Sequence, residues 1–156
     1  MNQIGPLQVL LKQAESERDE ALLMLQQAQA RADAARQQAE QLQAYRGQYQ
    51  QRWSQQFAQR GAIEIVHCYQ GFNERLHQAI THQEQASAQS AEQLERARQL
   101  LQERELRVAS VRKLIERRLV EQRRVDERRD QQLTDEAAQR SGWNTHLPSR
   151  MVNQFS

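Results

Sequence analysis

The chain has 156 residues, a formal net charge of +2 and 38% hydrophobic residues, with a mean hydropathy of −0.97. A compact domain of this length normally carries about 45–50% apolar residues, so a broad core is excluded and a narrow apolar seam is not. Nearly balanced charge removes any global pull toward nucleic acid or a membrane surface, and no window approaches the ~18 apolar residues of a membrane span.

Alanine and glutamine are heavily used, and arginine far outnumbers lysine, which occurs only as Lys12 and Lys113. Pro6 and Pro148 are the two prolines, so positions 7–147 are a proline-free run of good helix formers, which predicts helix almost throughout. Intrinsic disorder is the plain rival, but its marks, high net charge and no regularly spaced aliphatic residues, are missing. The single Cys68 excludes an intramolecular disulfide framework and fits a reducing compartment. The opening MNQIGPLQVLLKQAESERDE has no basic start followed by an apolar stretch, so no secretory signal is expected and the default address is cytoplasm.

The first arm, about 4–57, keeps a strict 3-4 spacing through Leu7, Leu11, Ala14, Arg18, Ala21, Leu25, Ala28, Ala32, Ala35, Ala39 and Leu42. That is a coiled-coil seam with Arg18 as its polar interruption. Continued, it reaches Arg46, Tyr49, Trp53 and Gln56. A turn is expected at about 58–64, where AQRGAIEIV breaks the pattern around Gly61.

The second arm, about 65–140, carries the matching seam: Tyr69, Leu76, Ile80, Leu94, Ala97, Leu101, Val108, Val111 and Ile115, with Asn73, Gln83, Ser87, Ser90 and Arg104 between them. Two seams around a short glycine-containing turn predict an all-α fold, a long antiparallel two-helix coiled-coil hairpin. If residue i faces residue 122 − i, Ala21 meets Leu101, Leu25 meets Ala97 and Ala28 meets Leu94, large against small as interdigitating layers require. Ala32 and Ala35 then face Ser90 and Ser87, and Leu7 faces Ile115. Arg18 meets Arg104, a like-charge contact unless both turn outward. The second arm outruns the first beyond Ile115, and residues 141–156 are expected to form a flexible tail.

No catalytic, cofactor or metal site is expected. His67 and His77 are ten apart and His77 and His82 five apart, where two ligands on one helical face need three or four. His67 and Cys68 are adjacent and point roughly 100° apart on a helix, a poor nucleophile–base pair. Neither a phosphate loop nor a glycine-rich fingerprint is present.

Two surface features remain. Arg112, Lys113, Arg117, Arg118, Arg123, Arg124, Arg128 and Arg129 crowd one stretch, offset by Glu116, Glu121, Asp126 and Glu127. Six of these cations share an arc of roughly 160° on an ideal helix. A solvated face with internal salt bridges and a face gripped by a protein partner both fit, and arginine suits the second because its planar fork bonds carboxylates in a fixed geometry. Nucleic-acid binding is disfavoured by the interleaved acids and the lack of stacking aromatics. Near the turn, Gln38, Leu42, Tyr45 and Tyr49 run 4-3-4, as do Phe72, Leu76, Ala79 and Gln83. Their numbers pair antiparallel into a strip across both helices. Tyr45 and Phe72 lie on its flanks, so the strip is either a widened core or a docking site.

At these residues the chain resembles the flagellar export protein FliJ family. The A-Y-x-x-x-Y element at 44–49, YQGFNERLHQAI at 69–80 and DERRDQQLTDEAAQR at 126–140 carry the resemblance, which covers nearly the whole chain. It implies a non-enzymatic coiled-coil hairpin similar to the central stalk of rotary ATPases, acting in the flagellar type III export apparatus. It further implies that the helical termini enter the pore of the hexameric export ATPase FliI, promoting its assembly, and that a strip near the turn contacts the export gate protein FlhA. Export chaperones are further implied partners, and the implied location is peripheral, at the inner-membrane flagellar basal body. Carried onto this chain, the gate strip is Gln38, Leu42, Tyr45, Tyr49, Phe72, Leu76, Ala79 and Gln83. The family pattern can carry histidine at the last position, where this chain has Gln83 beside His82. The ring-binding segment is Arg117–Arg140, led by Arg117, Arg118, Arg123, Arg124, Arg128 and Arg129. The stalk of a virulence secretion system and a generic coiled-coil scaffold are the alternatives.

Overall fold

The computed structural model describes residues 4–59 and 63–146, with side chains described as far as Trp143. It is entirely helical: α1 is Ile4–Gln59 and α2 is Ile63–His146. Pro6 lies in the first turn of α1, where an amide would have no helical partner and the fixed φ suits helix entry. Of the expected turn, residues 58, 59, 63 and 64 are helical, and residues 60–62 with Gly61 lie outside the described residues. The helix also continues through His146, past the expected end of the second arm; the rest of the expected tail lies outside the described residues.

Contacts divide the chain into two units, Gln13–Val108 and Met1–Lys12 with Ala109–Ser156. Within Gln13–Val108 the two helices run antiparallel and pack along the expected seams. Ala14, Ala21, Leu76, Ile80, Leu94 and Val108 are buried, and the seam residues between them are half-buried. Ala14 at 1% and Val108 at 3% exposure stand opposite each other in the expected register, which the cross-helix contacts bear out. Arg104 reaches Glu17 at 3.2 Å, Gln83 reaches the Ala35 carbonyl at 3.2 Å, and the Tyr49 and Phe72 rings lie 4.3 Å apart. All fall within a few positions of i facing 122 − i.

The expected Arg18–Arg104 clash is resolved sideways. Arg18 turns to Asp19 at 3.1 Å, while Arg104 and Arg107 share Glu17 at 3.2 and 3.3 Å. At the end of α1 the expected seam position Gln56 is exposed and Phe57 is half-buried instead. Burying a ring removes more apolar area from water than burying the stem of a glutamine, so the spacing lengthens from three to four there.

In the second unit the seam consists of Leu7 and Leu11 on α1, half-buried, with Val111 buried and Ile115 half-buried on α2. Every described side chain from Glu116 to Trp143 is exposed. Among the described residues no helix is long and apolar enough to cross a membrane.

Candidate functional site

Labelling the seam positions a and d gives each helix two flanks, e and g. In an antiparallel pair the g row of one helix adjoins the g row of the other, and e adjoins e. On the e side, the Gln43 amide donates to Glu84 at 2.8 Å and Arg98 donates to Gln29 at 3.4 Å. These polar bridges close that face.

The g side differs. Near the turn it carries Gln38 and Tyr45 from α1 and Phe72 and Ala79 from α2, with Leu42, Tyr49, Leu76 and Gln83 as the adjoining d residues. The structure brings these eight expected strip residues onto one face. Gln38, Tyr45 and Ala79 are exposed, Leu42, Tyr49, Phe72 and Gln83 are half-buried, and Leu76 is buried at 7%. Tyr49 is the hub of the aromatic cluster. Its ring centroid lies 4.3 Å from Phe72, 5.6 Å from Trp53, 5.9 Å from Tyr69 and 6.2 Å from Tyr45. Phe57 and Tyr69 extend the cluster, their rings 5.5 Å apart and edge-on.

The strip is therefore two things at once. Tyr49, Phe72 and Leu76 widen the core, and Tyr45 presents an aromatic edge at 47% exposure with Gln38 and Ala79 beside it. Gln83 is engaged inward, its amide donating to the Ala35 carbonyl of the facing helix. Alanine at that level permits the backbone approach.

The arginine segment sits on the exposed part of α2. Arg117, Arg118, Arg123, Arg124, Arg128 and Arg129 are all exposed. Lys113, Arg117 and Arg124 line a shallow groove with Glu116, Val120 and Glu121. Among the described residues Arg117, Arg123, Arg124, Arg128 and Arg129 make no ion pair, whereas Arg36, Arg96 and Arg98 each hold a carboxylate on their own helix. These five guanidinium groups are free for acidic groups from outside. Leu119, Val120 and Val125 are exposed between them at 40%, 40% and 49%, so the face mixes charge with apolar area. Spacing arguments found the cations and missed this apolar component.

Cys68 is exposed. Among the described residues no group of three or more His, Cys, Asp or Glu is placed to hold a metal ion.

Comparison with known families finds that the model described as "Flagellar FliJ protein" matches residues 2–146. Neither the curated proteins nor the solved structures yield a match.

Proposed function

The chain belongs to the FliJ family of flagellar proteins, and on that premise we propose that it acts as the stalk of the flagellar export ATPase and links that ATPase to the export gate. Membership makes it a component of flagellar type III export. The finer reading assigns the arginine face of α2 to the inner wall of the hexameric ATPase FliI and the aromatic strip to the gate protein FlhA, with export chaperones as further partners. The observation that carries it is the free arginine face: five unpaired guanidinium groups with exposed Leu119, Val120 and Val125, on a helical stretch with no buried side chain of its own. Arginine's fork and exposed aliphatic area together suit a protein surface that supplies carboxylates.

The test is to titrate the purified protein into the active export ATPase and record the hydrolysis rate. Stimulation is expected, and a chain cut after Glu116 is expected to lose it. No stimulation of a demonstrably active ATPase would sink the stalk assignment and leave a coiled-coil scaffold.

A further inference from the structure

The g row of α1 continues away from the aromatic strip through Arg31, Met24 and Glu17, one residue per heptad. Met24 is 54% exposed. It lines an open groove of about 330 Å³ across both helices with Ala28, Arg31, Gln93, Ala97 and Leu100. Arg31 is exposed and makes no ion pair among the described residues. Glu17 receives Arg104 and Arg107, but both contacts fall on Oε2, so its other carboxylate oxygen remains to accept a further guanidinium. Acid, thioether and base are thus spaced by ~10.5 Å each, at ~1.5 Å rise per residue, on the face that polar bridges do not close.

We propose that this row is a self-association face, through which two copies of the chain pair antiparallel about a two-fold axis at Met24. An isologous contact needs a self-complementary patch, and this row is one. Because Glu17 and Arg31 are equidistant from Met24, the axis sets Glu17 of each copy against Arg31 of the other, twice. Parallel pairing would instead set Glu17 on Glu17 and Arg31 on Arg31, a like-charge mismatch. At the axis the two Met24 side chains enter the facing grooves, a task for which the flexible thioether is suited. The product is a four-helix bundle over this stretch. The inference goes beyond the stalk reading and does not depend on it, since no residue of the arginine segment takes part.

The experiment uses the full-length chain carrying Cys68→Ala, followed by sedimentation velocity from low to several hundred micromolar. A reversible dimer is expected, weakened at least tenfold by Arg31→Glu and by Met24→Lys. Both positions are exposed, so unchanged helicity and melting will certify that the variants fold. Cross-linking then reads the geometry. Met24→Cys chains should oxidise to linked dimers, and a mixture of Glu17→Cys with Arg31→Cys chains should link faster than either alone, one native ion pair remaining in the mixed dimer. A chain monomeric at every concentration would leave the row to a helix of a different protein and overturn the proposal. A dimer that both charge variants leave intact, or Arg31→Cys linking to itself fastest, would overturn it equally.

Discussion

Tyr49 is the residue at which the seam and the docking strip meet, and its neighbours say what removing it does. Four rings surround it, the nearest being Phe72 at 4.3 Å. Tyr49→Ala is expected to destabilise the chain by about 2–3 kcal/mol, the lower part of the range for truncating a core aromatic, because Tyr49 is only half-buried. Urea unfolding checks this: the midpoint should fall with the slope unchanged. Tyr45→Ala should cost less than ~1 kcal/mol, since Tyr45 is 47% exposed and touches the cluster at one edge. Equal losses from the two variants would mean that Tyr45 is core. Most of this was legible from spacing. The 3-4 series led to Tyr49 and Trp53, and 4-3-4 matching placed Tyr45 and Phe72 on one strip. Gln56 was misplaced because a period treats every position alike, while packing chose the neighbouring ring of Phe57. The Glu17 contact to Arg104 and Arg107 was not legible either. Which flank residues meet depends on the register to within one position, and the period alone does not fix it.

At the scale of the helix, α1 and α2 illustrate two different sources of order. Between Ala14 and Leu42, α1 is held by a seam mostly of alanine, so it buries little area per turn and depends on its strong helix formers. Gly47 works against that. It is exposed in the helix interior, and a Cβ there meets nothing within 4 Å. Gly47→Ala is therefore expected to stabilise by about 0.5–1 kcal/mol, read as a rise in melting temperature. A fall would mean that the site is more crowded than its surroundings indicate. Beyond Glu116, α2 has propensity but no buried face, and isolated helices in water are marginal. Its amides should exchange with solvent much faster than those between Leu76 and Val111, where the seam is buried. Uniform protection along α2 would show that an unrecognised contact covers the arginine face. The helical nature of both arms was readable from their composition. The continuation of α2 through His146 was not, because Gly142 and the polar residues around it read as a stop signal while helix propagation needs only that nothing forbids the next turn.

For the molecule as a whole, the proposed gate strip and the proposed ring segment belong to different units, and that makes their functions separable. The strip lies within Gln13–Val108, which holds its own aromatic cluster, cross-helix bonds and most of the buried seam. The ring segment begins after the last half-buried seam residue, Ile115. Cutting the chain after Glu116 removes no buried side chain among the described residues, so the truncated protein should still melt cooperatively and bind the gate protein while failing to stimulate the ATPase. Tyr45→Ala with Phe72→Ala should behave in the opposite way, losing gate binding and keeping stimulation. Phe72 is half-buried against Tyr49, so this variant will lose some stability, and circular dichroism must first show it folded at the assay temperature. Either variant alone shows only that a region matters. The pair discriminates, because a rod acting as one indivisible body predicts that both variants lose both activities. If folded protein gives that result, the arginine face and the aromatic strip are parts of one binding surface, and the division of labour between ring and gate is wrong.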